Sequence, residues 1–162
     1  MKKTLSLLLT VVTLAFASQS QARIGETIAE SDARYGAAIV EPATGNRMYQ
    51  KDNVRTVCFF EKDKCVAIVI TKLTSKGNPS VMKPDEIAEA LKANSGDKPF
   101  DAVKDDKNEN QMWVNPDAIT AMYITKKKTL SIASIDGVKK LQGIAAPPQD
   151  NVKGKPTKAA GF

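Results

Sequence analysis

The sequence predicts an α+β fold, in which tandem helix-plus-three-strand units form one antiparallel sheet with helices on one side. Three observations carry that prediction. Several short runs alternate apolar and polar residues at period two, as strands do. Two other segments set apolar residues four apart behind helix-starting chemistry. Both kinds of segment recur in the same order along the 162-residue chain.

The first 22 residues are set aside as an export signal. Lys2 and Lys3 supply a positive start, Leu5 to Phe16 form an apolar run, and Ser20-Gln21-Ala22 places small residues at the cleavage positions. That run is about 12 residues long, where a bilayer span needs roughly 20, so cleavage rather than anchoring is expected. The working protein is then Arg23 to Phe162, exported to the periplasm or beyond the cell, with no membrane span. Removing the leader takes two lysines and no acid from a formal charge of +6. The mild positive balance that remains favours anionic neighbours weakly and serves solubility.

The mature chain opens with Ile24-Gly25-Glu26-Thr27-Ile28-Ala29-Glu30. Thr27 and Glu30 have capping-box spacing, so a helix is expected as far as Arg34 or Tyr35, closed by Gly36. After the Thr44-Gly45-Asn46 turn signal, strands are expected over 47–52, 55–60 and 64–73. In the third, Val66, Ile68 and Ile70 line one face, and Cys65, Ala67, Val69 and Thr71 the other. A polar linker over 75–80 precedes Pro84, Asp85 and Glu86, which suit a helix's first turn. Ile87 and Leu91 pair along that helix, and Asn94-Ser95-Gly96 ends it. Strands over 111–115, 118–126 and 129–135 follow, with a short one over 100–103.

An internal repeat is suggested by Ile28-Ala29-Glu30 recurring as Ile87-Ala88-Glu89 and by the two lysine-rich hairpin tips at 60–64 and 124–128. The units span about 24–74 and 80–136 of a single domain, 23–142. From Gly143 the chain is rich in proline, alanine, glycine and lysine without periodicity, so a disordered basic tail is expected over 143–162.

The opening Ile24-Gly25-Glu26-Thr27 with Arg34-Tyr35-Gly36, the hairpin, and the helix ending in Ala93-Asn94-Ser95-Gly96 resemble a group of small exported bacterial proteins of unknown function. More distantly, the element order resembles the BamE-like and β-lactamase-inhibitor-like folds. These are exported protein-binding modules, and the resemblance implies the same class of function here.

Histidine is absent, which removes Ser-His-Asp and Cys-His catalysis and most zinc sites. No catalytic residue, metal or cofactor is assigned, and nucleic acid is not an expected partner of an exported chain. Glu26, Glu30 and Asp32 near Arg34 are the carboxylates that a small hydrolase would use, although on a short amphipathic helix such residues are usually just the solvated face. Asp106, Asn108, Asn110 and Asp117 have partial calcium-loop spacing, but Gln111 stands where that loop needs glycine. Cys58 and Cys65 flank a hairpin tip. They are candidates for a structural disulfide, with two buried thiols as the alternative. A turn at Glu61-Lys62 sets them directly opposite, and one at Lys62-Asp63 sets them diagonally on one face. Trp113, Tyr123 and Tyr49 sit in strands, where aromatics are ordinary packing residues, and they are also the candidate binding residues, on a sheet face that two short helices cannot cover. The expected function is therefore a soluble, non-enzymatic module that binds a protein or envelope component. A small-ligand carrier and a carboxylate hydrolase stand as alternatives.

Overall fold

Thr27 and Glu30 close the capping box. In the computed structural model, which describes residues 23–41, 43–96, 98–103 and 109–145, Thr27 N donates to Glu30 Oε2 at 2.7 Å and Glu30 N donates to Thr27 Oγ1 at 3.2 Å. Two N–H groups that a helix start leaves unpaired are thereby satisfied, and α1 (Ile28–Tyr35) follows. Gly36 ends it at φ 87°, a conformation that favours glycine. The expected leader (1–22), Asp106 and Asn108 of the calcium spacing, and the chain beyond 145 lie outside the described residues.

Five strands come next: β1 (Ile39–Val40), β2 (Arg47–Lys51), β3 (Val54–Glu61), β4 (Lys64–Leu73) and β5 (Pro79–Ser80). Pro84 then opens α2 (Pro84–Asn94), where Glu86 Oε2 accepts from Lys83 N. The chain continues through β6 (Asp101–Val103), β7 (Gln111–Val114), β8 (Thr120–Ile124), β9 (Thr129–Ala133) and α3 (Ile135–Ala145). The result is a mixed α+β chain, mostly sheet, with three helices and nine antiparallel strands among the described residues. The strand order is β1-β2-β3-β4-β9-β8-β7-β6, with β5 paired to β4.

Two expectations change here. Each of the first two helices precedes four strands of the main ladder rather than three, because β1 joins one end and the short strand expected over 100–103 joins the other as β6. Helices also cover both faces. Ile28, Tyr35, Ile87, Ala90 and Leu91 pack from α1 and α2 against Cys58, Ile68, Ile70, Leu130 and Ile132. From the opposite side, Val138 and Leu141 of α3 pack against Phe59, Ala67 and Ala133. α3 also continues past Gly143, where a tail was expected to begin.

The two faces exchange residues at a β-bulge. The β3–β4 turn falls at Lys62-Asp63, both at positive φ, so Phe60 pairs with Cys65. Phe59 then pairs with Ala67 and leaves Val66 as the extra residue. Cys65 consequently shares the α1/α2 face with Ile68 and Ile70, while Val66 joins Ala67 and Val69 on the α3 face. Strict alternation along 64–73 had placed them the other way.

The bulge also seats α3. The Val66 carbonyl accepts Ser134 N at 3.0 Å and Ser134 Oγ at 3.2 Å, and Ser134 Oγ in turn accepts Gly137 N at 3.2 Å, in the manner of an N-cap. Lys140 Nζ donates to the Phe60 carbonyl from the next turn of the helix. Gly137 permits this approach, since a Cβ there would lie 1.9 Å from the Val66 oxygen.

Candidate functional site

The three aromatic candidates do not form an open patch. Tyr49 and Tyr123 are 1% and 3% exposed, inside the core beneath α1 and α2. Tyr49 Oη donates to Asp32 Oδ1 at 2.8 Å, and Tyr123 Oη accepts from Met82 N at 3.2 Å. Trp113 is half-buried against the same core. All three alternate onto the covered face, so they pack the sheet rather than present it to a partner.

The carboxylates are each taken up by a different neighbour. Glu26 pairs with Arg34, Glu30 with the backbone and hydroxyl of Thr27, and Asp32 with Arg47 at 2.6 Å and with Tyr49. The Thr27 backbone bond, then its side chain, holds the Glu30 carboxyl below its ordinary range. That is the reverse of what a general acid needs. Asp117 pairs with Lys98 and accepts no other described partner, and its N–H donates to Asn115 Oδ1 at 2.6 Å. Among the described residues no group of three metal-ligating side chains gathers.

Cys58 and Cys65 meet. Both are buried free thiols on the α1/α2 face, set diagonally, since Cys58 opposes Ile68 while Cys65 opposes Phe60. A hydrogen bond with Cys65, with burial, pushes the Cys58 thiol far above its ordinary range, and Cys65 Sγ donates to the Ala67 carbonyl at 3.5 Å. Burial shields both thiols from solvent in the folded chain.

The open feature lies on the opposite face. α3 packs on β4 and β9 and leaves β7 and β8 uncovered, so a groove of about 550 Å³ opens between the helix and the sheet. Strand register builds its floor in rows. Val69, Ser131, Met122 and Met112 stand side by side across β4, β9, β8 and β7, and Thr129 with Ile124 forms the next row. Val138, Leu141 and Gln142 make the wall, and Lys127 stands at the β8–β9 turn. The groove exists because β9 alternates large and small: Leu130 and Ile132 fill the core, while Thr129, Ser131 and Ala133 leave space above the other face.

No family model matches the chain, and no curated protein matches it. A crystal structure of a cysteine-rich secretory protein from Staphylococcus aureus is similar at TM-score 0.42 and 13% identity over 74% of this chain. This chain spans 47% of that protein's length.

Sequence reasoning missed Met112, Met122 and Leu141. The alternation over 120–124 and 129–133 was the available signal, since it sets Thr129, Ser131 and Ala133 on the outward positions of β9 beside Met122 of β8. What concealed the site was α3, without which that face has no wall. Among the described residues, no helix is long and apolar enough to cross a membrane.

Proposed function

We propose that this chain is an exported, non-enzymatic binding module that holds a protein or envelope component against the α3 face of its sheet. The groove between α3 and β7–β9 is the observation that carries this reading. A single sheet has two faces to cover, and here α3 spans only part of the second. Met112, Met122, Ile124 and Val69 are thereby left half-exposed in one concave patch. Leaving such surface in water forgoes roughly 25 cal/mol per Å², which a partner that covers it recovers. Val103 and Val114, exposed on β6 and β7, extend the same face to the sheet edge.

Export rests on the leader chemistry of residues 1–22. In an oxidising compartment the diagonal Cys58 and Cys65 would close into a disulfide that fixes the β3–β4 hairpin. The mirrored strand order, with each half contributing a helix and four ladder strands, supports reading the two halves as repeat units joined through β4 and β9.

Photo-crosslinking in envelope extract tests the binding face. A crosslinking side chain at Gln142, on the groove wall, is expected to give discrete adducts, and one at Lys76, on the far β4–β5 connection, none. Met122→Trp, which fills the groove, should abolish the Gln142 adducts. Equal labelling at both positions, or labelling indifferent to Met122→Trp, removes this reading.

A further inference from the structure

Resting on that binding face, we infer that the groove takes one free, single-chain anionic amphiphile of the fatty-acid class, its carboxylate at Lys127 and its alkyl chain lying over Met122 and Met112. The volume, about 550 Å³, falls within the roughly 300–1,000 Å³ of small-molecule pockets. The floor has no free hydroxyl donor to offer. Ser131 Oγ donates to the Met122 carbonyl at 3.3 Å, Thr129 Oγ1 to the Lys127 carbonyl at 2.9 Å, and Thr120 Oγ1 to the Ala133 carbonyl at 3.4 Å. The hydroxyl protons of the floor are thus spent on the sheet, and apart from Gln142 on the wall a guest meets mainly methyl, methylene and thioether groups. Methionines suit an unbranched, flexible chain, because their own side chains are unbranched and adjust to it.

A peptide strand fits poorly here. The floor lies within the sheet, where β4, β9, β8 and β7 already pair with one another, so no backbone edge is free for strand addition. The charge then selects the head group. Lys127 is the one ionic side chain among the described residues that line the groove, and it forms no ion pair among them. Lys126 is exposed in the same turn and Lys128 Nζ donates to the Pro79 carbonyl at 3.4 Å, so Lys127 is the lysine that brings unmatched positive charge to a largely apolar groove. That pattern accepts an anion at the end of a hydrocarbon chain and disfavours a cation there.

Calorimetric titration of the full chain with dodecanoate, dodecanol and dodecyltrimethylammonium, each below its aggregation threshold, tests this. Dodecanoate is expected to bind one per chain and tightest, with the cation weakest. Lys127→Ala should weaken dodecanoate by about five-fold, the scale of an exposed ion pair, and leave dodecanol unchanged. Met122→Trp should abolish both while leaving Tm near that of the wild type. Four results would overturn the assignment: no dodecanoate binding, equal affinity for dodecanoate and dodecanol, binding that survives Met122→Trp, or binding only to phosphatidylglycerol vesicles. So would a concentration-dependent dimer in sedimentation that Met122→Trp dissolves, which would give the groove to a second copy of the chain. If dodecanoate fails while the Gln142 adducts persist and vanish in Met122→Trp, the ligand class falls and the binding face stands. If the adducts fail as well, both fall.

Discussion

The Tyr35 hydroxyl is buried with no hydrogen-bond partner among the described residues, although its ring packs on Tyr49 with centroids 4.9 Å apart. An unmet buried hydroxyl costs about 1–3 kcal/mol, so Tyr35→Phe is expected to raise stability by about 1 kcal/mol in urea denaturation at neutral pH. Tyr49→Phe loses a bond to a carboxylate and should lower it by about 1–2 kcal/mol. The two phenols also set an alkaline limit. Burial, then the nearby Cys58 and Glu26, push Tyr35 upward, while burial, then the bond to Asp32, push Tyr49 upward. A folded pKa above the unfolded value gives stability that is whole below about pH 10 and is lost as pH rises further. Denaturation midpoints should therefore fall between about pH 10 and 12, less steeply in Tyr35→Phe; an unchanged slope in that variant would show that Tyr35 ionises freely in the fold. At this scale Thr27 and Glu30 were legible in the sequence, because a capping box is local. The burial of Tyr49 and Tyr123 was not, since period two places an aromatic on a face without saying which face a helix will cover.

α3 marks the boundary of legibility among the elements. α1 and α2 announce themselves through caps, a proline and a closing glycine, all within a few residues of each end. α3 contains Gly137 and Gly143, both poor helix formers, and its apolar stripe is little more than Val138 and Leu141. Its existence depends on a contact made across the chain, the bulged Val66 carbonyl beneath Ser134 and Gly137. The bulge was equally hidden, because one extra residue in β4 leaves the composition of the strand untouched while reversing its faces. The two glycines separate these causes. Gly137→Ala forces the helix off the Val66 oxygen and is expected to cost about 2–3 kcal/mol, the scale of overpacking, and to weaken dodecanoate binding through loss of the groove wall. Gly143→Ala meets nothing within 4 Å and should stabilise by about 0.5–1 kcal/mol through helix propensity. Thermal melts of the two variants check this, and a Gly137→Ala melt at or above wild type would mean that α3 does not rest on the bulge.

In the whole molecule, β4 and β9 decide how the two halves depend on each other. They are the central strands, they pair over Ala67 to Thr71 and Thr129 to Ala133, and the residues opposed across the seam include Ile68 with Ile132 and Ile70 with Leu130, all buried. Separating the halves would expose two long unpaired edges together with that core. The sequence pattern made the order of elements legible but not this seam, because β4 and β9 lie far apart in the chain and only the assembled sheet makes them neighbours. A single cooperative transition follows. Trp113 reports on the second half by fluorescence, and the alkylation of Cys58 and Cys65, both buried in the first half, reports on the other. In reducing buffer the two probes should give the same urea midpoint and the same slope. If Trp113 shifted at lower urea while the thiols stayed protected, the second half would open by itself. The groove walled by α3 would then belong to a separately unfolding unit, and ligand added at saturation should move only the Trp113 transition. With the seam intact, ligand moves both transitions together, since anything that binds only the folded chain stabilises everything that folds with it.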